Sequence, residues 1–160
     1  GCEREAAALV DQLSTGLDRI RESAARFPRR LRAFFEEWDD PLISGIRWVE
    51  ELVEIAGAEP VFPELVRSGL AKDRIVEPAE VARRDPEVVF ASWCGKRMRK
   101  ATILSRPGWD GVTAVRHDRI YEIKSSLILQ PGPASLTDGV AQLHARLSAL
   151  AAEDGVAQHV

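Results

Sequence analysis

Apolar residues near the start of the chain recur with the period of an α-helix. Within residues 3–26 the sequence places Leu9, Leu13, Leu17 and Ile20 at intervals of four, four and three positions, so that one face of a helix would carry all of them. At about 1.5 Å per residue such a helix would extend roughly 36 Å, which is more than a small domain needs to cross one sheet. We therefore expect a long amphipathic helix whose first turns overhang the rest of the fold.

After this helix, strand-like and helix-like segments alternate. Short runs rich in β-branched and aromatic residues predict strands at 31–38, 87–91 and 119–123. Apolar periodicity predicts helices at 44–57, 78–85 and 97–106 and a last helix from residue 135, preceded by an extended stretch from residue 127 and followed by a frayed tail at 153–160. The order predicts an α/β fold with three layers, αβα, around a mostly parallel, doubly wound sheet.

Three loops should lie at one edge of this sheet. They are Trp38–Leu42 after the first strand, Ser92–Gly95 after the central strand and Ser125–Pro133 after the last. The carboxyl ends of parallel strands meet at the same edge, and ligands of such sheets bind beyond that edge. The aromatic and proline residues of these loops favour a rigid surface for a flat ligand.

Composition restricts the class of partner. The chain has 160 residues, of which 45% are hydrophobic and 29% charged, and its net charge is −3 with 22 basic and 25 acidic residues. These values are typical of a globular domain with a core of its own. Because the charges are interspersed, the sequence does not favour nucleic acid or an anionic membrane as a partner. No apolar run is long enough to span a bilayer, and residues 1–30 are too charged for a secretory signal, which would lie upstream of this chain.

Two short motifs could indicate chemistry, but both are incomplete. Trp93-Cys94-Gly95 after a strand is how a thioredoxin-like active site begins, yet Arg97 stands where the second cysteine would be needed. Asp39-Asp40 could bind a metal, although aspartates before a proline more often stabilise a turn. We expect no enzyme activity, no metal site and no cofactor, because phosphate-binding loops and nucleophile motifs are absent from the sequence. The dispersed histidines His117, His144 and His159 are expected to be exposed to solvent.

Four longer segments carry a resemblance to a known family. They read FFEEWDDPLISGIRWVEELVEIAGAEPVFPE, DPEVVFASWCGK, RPGWDGVTAVRHDRIYEI and LILQPGPASLTDGVAQL. Together they resemble periplasmic solute-binding proteins of the helical-backbone type, which serve ABC importers of cobalamin, haem and iron siderophores. The resemblance is nearest to the cobalamin-binding members. It implies that residues 1–28 are the helix that joins two lobes, that 29–160 are the carboxyl-terminal α/β lobe, and that the amino-terminal lobe is missing.

The resemblance also implies a function and a site. It implies non-catalytic capture of cobalamin or a related corrinoid, with haem or a ferric siderophore as alternatives, in the periplasm or another extracytoplasmic space. The parent protein could be tethered to the membrane, and Cys2 could carry the lipid. Ligand would be contacted by residues of the three loops: Trp38, Asp39, Asp40, Pro41, Leu42, Ser92, Trp93, Cys94, Gly95, Leu129, Gln130 and Pro131. Trp38 and Trp93 could instead cap the core.

Partners and alternative functions follow from the same segments. Family members pair a glutamate near the start of the helix at Pro78 with arginines of the membrane permease, and here Ala79 stands at that position with Glu80 beside it. A docking face near Glu80 is therefore an expectation that the sequence only partly supports. One alternative is a self-associating domain that dimerises through the apolar face of residues 3–26. The other is a monothiol redox protein that uses Cys94.

Overall fold

A sheet of five strands organises the fold in the computed structural model, which describes residues 1–157. The strands are β1 (Leu31–Asp39), β2 (Leu42–Ser44), β3 (Ala58–Pro60), β4 (Val88–Ala91) and β5 (Ile120–Glu122), in the order β2-β1-β4-β5, with β3 beside the start of β1. β1 runs parallel to β3 and β4, and β4 runs parallel to β5, whereas β2 is antiparallel to β1. The predicted mostly parallel α/β sheet is confirmed.

Helices cover both faces of the sheet. They are α1 (Glu3–Ala24), α2 (Arg47–Ala56), α3 (Pro78–Arg84), α4 (Lys100–Leu104), α5 (Thr113–Arg116), α6 (Ser125–Ile128) and α7 (Val140–Ala157). Neighbouring strand residues enter different cores because side chains alternate across a sheet. Phe35 and Phe90 pack with residues of α2 and α7, while Phe34 and Val89 pack with residues of α3 and α4. The two cores give the three layers that the sequence predicts.

The long helix α1 overhangs the sheet. Residues 3–12 are all exposed, including Leu9 at 46% and Val10 at 62%, and Ala24 is the buried residue of the helix. Its last turns rest on α2 and α7, where Leu17 and Ile20 pack partly against the core. The expected overhang is thus present. Within residues 1–157, no helix combines the length and the apolar character needed to cross a bilayer.

His144 fixes the end of α1 to the rest of the fold. Its Nδ1 lies 2.9 Å from the Ala56 carbonyl oxygen, its Nε2 lies 3.0 Å from Ser23 Oγ, and its ring stacks on Phe27 at 5.4 Å. The prediction that His144 is exposed is wrong, because the ring is half-buried between three helices. His117 is exposed as expected, and His159 lies outside the described residues.

Several boundaries differ from the sequence predictions. β2 and β3 have three residues each, too few for a pattern of their own, and they form by pairing with β1. Helix α2 begins at Arg47 rather than at Ser44, which belongs to β2, although Gly57 does end the helix with a φ of 112°. The stretch expected to be extended from residue 127 begins inside α6 and leads into a π-helical turn at Ser135–Gly139. The predicted frayed tail is helical as far as Ala157.

Candidate functional site

The carboxyl ends of β1, β4 and β5 meet at one edge of the sheet. Glu36 of β1 lies opposite Ala91 of β4, and Ala91 lies opposite Glu122 of β5. Since the three strands are parallel and in register there, the segments that follow them start from the same edge. We call this the carboxyl edge.

Lys96 joins the first two of these segments. Its ammonium lies 2.5 Å from Asp39 Oδ1, 4.2 Å from the centre of the Trp38 ring and 5.0 Å from the centre of the Trp93 ring. An ammonium close to aromatic faces and to a carboxylate is stabilised by both. The loop after β4 is therefore attached to the turn after β1. Lys96 could not be recognised as a site residue from the sequence, because its partner Asp39 is remote from it along the chain.

A buried ion pair lies beneath the carboxyl edge. The Glu36 side chain is 0% exposed, and its carboxylate accepts hydrogen bonds at 2.7 and 2.8 Å from Arg106 and at 2.9 Å from Trp93 Nε1. The Arg106 guanidinium also lies 4.6 Å from the centre of the Trp109 ring. The bidentate geometry and the third donor satisfy the carboxylate, as a buried charge requires.

Three predicted site residues are buried in the structure. Trp93 is 2% exposed, Ser92 is 1% exposed and Leu42 is 4% exposed. All three side chains are enclosed by the core, so they present almost no surface to a ligand at the carboxyl edge. For Trp93 the physical reason is the buried Glu36 carboxylate, which draws the indole N–H inward. Its alternative role as a cap on the core fits this position.

Other predicted residues remain accessible at the edge. Trp38 is half-buried, and its indole N–H donates to the Asp40 carbonyl oxygen at 2.9 Å. The exposed residues around it, in the turn after β1 and in the loop after β4, are Asp40, Pro41, Cys94 and Gly95. Of the two tryptophans of the prediction, Trp38 is thus the one that stays partly exposed, with the Lys96 ammonium over its ring.

The last predicted group follows α6. Leu129 packs partly against the core shared by α2 and α7, while Gln130 and Pro131 are exposed. The Trp48 indole N–H donates to the Ile128 carbonyl oxygen at 3.3 Å, which attaches the end of α6 to α2. The four residues of α6 therefore stand between the end of β5 and these three residues in the chain, where the sequence predicts an extended segment.

A cavity of about 630 Å³ lies between the loop after β4 and the segment after β5. Its wall consists of charged and small polar residues: Gly95, Lys96, Arg97, Glu122, Lys124, Ser125 and Ser126. Glu122 Oε1 accepts a hydrogen bond from the Met98 amide at 2.8 Å, which holds the loop after β4 against the end of β5. Gly95, Ser125 and Ser126 belong to the loops that the sequence places at this edge, whereas the four charged residues do not, because charged residues in loops usually lie in solvent.

The turn after β1 is held from its other side by a second ion pair. Arg74 is 1% exposed, and its Nη1 donates to Glu37 Oε2 at 2.8 Å and to the Ser44 carbonyl oxygen. Glu37 Oε2 also accepts from the Ile46 amide at the start of α2 at 2.9 Å. Nearby, burial raises the pKa of the Glu50 carboxyl to about 8, against a hydrogen bond from the Gly45 backbone and the charge of Arg74, which both lower it.

Two further predicted features have clear positions. Cys2 and Cys94 are exposed free thiols, so the two cysteines are not joined by a disulfide. Glu80 pairs with Arg84 at 2.6 Å and with Arg83, and Arg84 also pairs with Glu64. In the part of the chain that the structure describes, no three metal-binding side chains lie close enough to hold an ion.

Comparisons with known proteins give a family. A sequence profile described as "Periplasmic binding protein" matches residues 1–127. A comparison with curated proteins found no match. The profile covers most of the chain, including β1, β4, β5 and the loops between them.

Solved structures share the fold. A protein from Staphylococcus epidermidis, described as a possible iron-binding periplasmic solute-binding protein, is 22% identical with a TM-score of 0.75 over 90% of this chain and 55% of its own. A periplasmic heme-binding protein from a Roseiflexus species is 20% identical with a TM-score of 0.70 over 92% and 58%. The periplasmic vitamin B12-binding protein of Vibrio cholerae is 20% identical with a TM-score of 0.63 over 86% and 51%. The chain spans about half the length of these structures.

Proposed function

Because this chain belongs to the periplasmic binding protein family, we propose that it forms one wall of a cleft that captures a solute for an ABC importer. The family consists of non-catalytic solute-binding proteins and implies an extracytoplasmic location. Both points agree with the expectations from the sequence. The proposed action is binding without conversion, and the redox alternative at Cys94 loses its support.

The observation that carries the proposal is the single carboxyl edge. Trp38, Asp39 and Lys96 form one cluster there, and the cavity beside Lys96 extends to Ser126. An accessible aromatic ring beside polar and charged groups is the usual composition of a small-molecule site. The ring would cover one face of a flat ligand, while the polar groups would bind its rim.

We propose a metal-containing macrocycle or chelate as the ligand. Cobalamin or a related corrinoid is the first candidate, and haem and ferric siderophores are the alternatives. The similarity of fold to proteins described as iron-, heme- and vitamin B12-binding supports this class. Trp38 would contact the flat face, with Asp40 and Gln130 as candidate partners for polar groups at the rim.

A second lobe would complete the cleft. We propose that residues 1–28 link this lobe to another one and that 29–160 form the carboxyl-terminal lobe. The exposed first half of α1, with Leu9 and Val10 open to solvent, supports a packing partner of this kind. With one wall only, the contact area is about half, so the isolated chain should bind weakly.

Docking to a permease and tethering to a membrane belong to the same proposal. Glu80 already pairs with Arg83 and Arg84, so its carboxylate is less available to arginines of another protein than an unpaired one would be.

The exposed apolar residues of α1 favour self-association as the second candidate function. Light scattering, which measures the molar mass in solution, distinguishes self-association from solute capture. A monomer at high protein concentration excludes the self-associating domain.

Titration of the chain with cyanocobalamin, followed by calorimetry and by tryptophan fluorescence, tests the proposal. We expect a dissociation constant far weaker than micromolar, and submicromolar affinity would contradict the picture of a single wall. Trp38→Leu should weaken binding about tenfold, as expected for the loss of an aromatic anchor. Tyr121→Leu is the matched control, because Tyr121 packs on Phe90 and Arg146 and belongs neither to the cluster around Trp38 nor to the wall of the cavity. Equal effects of the two variants would refute the assigned site.

A further inference from the structure

The cavity at the carboxyl edge is cationic in a chain that is acidic overall. Its wall carries Lys96, Arg97 and Lys124 against one carboxylate, Glu122, whereas the whole chain has a net charge of −3. A local field opposite in sign to the net charge attracts ligands of the other sign. The surplus of positive charge at this cavity therefore needs an explanation.

Of the three cations of the wall, Lys96 is paired with a carboxylate in the described part of the chain, whereas Arg97 and Lys124 are not. Lys96 pairs with Asp39 at 2.5 Å, and Glu122 is held by the Met98 amide at 2.8 Å. Among residues 1–157, no carboxylate forms an ion pair with Arg97 or Lys124. These two exposed cations flank a cavity whose remaining wall includes the hydroxyl groups of Ser125 and Ser126. A guanidinium, an ammonium and two hydroxyls can all donate hydrogen bonds.

We propose that this cavity binds an anionic group of the ligand, a carboxylate or a phosphate, through Arg97 and Lys124. Arg97 offers the planar fork that matches an oxyanion, and Lys124 offers a point charge on the other wall. At about 630 Å³, the cavity has the size of a small-molecule site. A ligand with a purely neutral rim would leave both cations without a partner. The inference rests on the proposed function and specifies the chemistry of its ligand.

Carboxylate and phosphate could belong to different ligands, and matched probes distinguish them. Haemin carries two propionates that its dimethyl ester lacks. Cyanocobalamin carries a phosphodiester that dicyanocobinamide lacks. In one of the two pairs, we expect the probe with the anionic group to bind about tenfold more tightly than the probe without it, and the pair that shows the difference identifies the source of the anion.

The double substitution Arg97→Gln with Lys124→Gln should abolish that difference, because an oxyanion then loses both partners. The control Arg26→Gln with Arg116→Gln removes the same charge from exposed residues that precede the amino ends of β1 and β5, and it should preserve the difference. Equal binding within both pairs of probes would overturn the inference while leaving the proposed function intact. An unchanged preference in the Arg97/Lys124 variant would overturn it as well.

A separate measurement decides the case in which no macrocycle binds. That result would refute the proposed function for this chain, and citrate would then serve as the probe. In two-dimensional NMR spectra, citrate should shift the backbone amides of 95–97 and 124–126 in the wild type and should not shift them in the Arg97/Lys124 variant. Absence of these shifts in the wild type would overturn the anion site.

Discussion

Removing the charge of Arg106 is expected to destabilise the fold more than removing any exposed charge. Arg106 is the main partner of Glu36, whose side chain is 0% exposed, and the two side chains share hydrogen bonds of 2.7 and 2.8 Å. Arg106→Met keeps a long side chain that can still cover the Trp109 ring but removes both donors. Glu36 would then retain only the Trp93 indole N–H. A buried carboxylate with one neutral donor is poorly compensated for the loss of water.

The size of the effect follows from the burial of the pair. Breaking a buried ion pair by removing one partner costs about 3–5 kcal/mol, because the other charge stays behind uncompensated. Removing both charges is much less costly. Glu36→Gln combined with Arg106→Met keeps an acceptor for Trp93 and leaves the neutral amide NH2 group unsatisfied, which should cost about 1–3 kcal/mol. The double variant should therefore be more stable than Arg106→Met alone.

Urea unfolding followed by circular dichroism measures these free energies. Arg47→Met is the matched control, because Arg47 pairs with Glu51 at 2.8 Å while their side chains are 67% and 47% exposed. An exposed pair of this kind should contribute less than about 0.5 kcal/mol. The reasoning is refuted if Arg106→Met costs no more than Arg47→Met. It is also refuted if the loss of stability in the double variant equals the sum of the losses in Glu36→Gln and Arg106→Met measured separately.

Two other properties of the chain can be tested in the same assay. The pKa of Glu50, raised by burial from 4.5 to about 8, means that the folded state keeps a proton that the unfolded state releases. The free energy of unfolding should thus fall by on the order of 3–5 kcal/mol as the pH rises from about 4.5 to about 8. Glu50→Gln should remove this dependence on pH. An unchanged dependence in the variant would contradict the raised pKa of Glu50. Gly57→Ala should lower the free energy of unfolding by more than about 1 kcal/mol, since Gly57 has a φ of 112° and a Cβ there would lie 2.5 Å from the Phe27 ring. Gly69→Ala is the control and should cost much less, because the space around Gly69 is open. Similar losses of stability in the two variants would refute the steric argument.

The sequence determines the architecture of this chain more clearly than the surface of its site. Helices α1 and α2 and strands β1 and β4 could be predicted because each buries one face or both faces of a regular element. The carboxyl edge, at which the candidate site is proposed, could be predicted from topology alone, since the carboxyl ends of parallel strands meet at one edge. β2 and β3 could not be predicted, because three residues acquire strand geometry only through the partner strand.

The lining of the site depended on contacts that the sequence does not display. Trp93 was expected to face a ligand, yet the buried Glu36 carboxylate holds it in the core. Glu36 and Glu37 are adjacent in the sequence and look alike, but one is buried with Arg106 and the other is bound to Arg74. Lys96, equally ordinary in the sequence, becomes part of the site because its distant partner Asp39 lies across the edge.

These contacts together imply that the wall of the site is organised before any ligand arrives. Glu36 and Glu37 attach the end of β1 to two different arginines, Lys96 attaches the turn after β1 to the loop after β4, and Glu122 attaches that loop to β5. A preorganised surface loses little conformational entropy on binding. Weak binding by this chain alone would therefore reflect the small contact area of one wall. It follows that a rigid partner surface added opposite Trp38 should raise the affinity without reshaping the carboxyl edge, so the backbone conformation of 36–39, measured by residual dipolar couplings, should change little between the free and the bound chain.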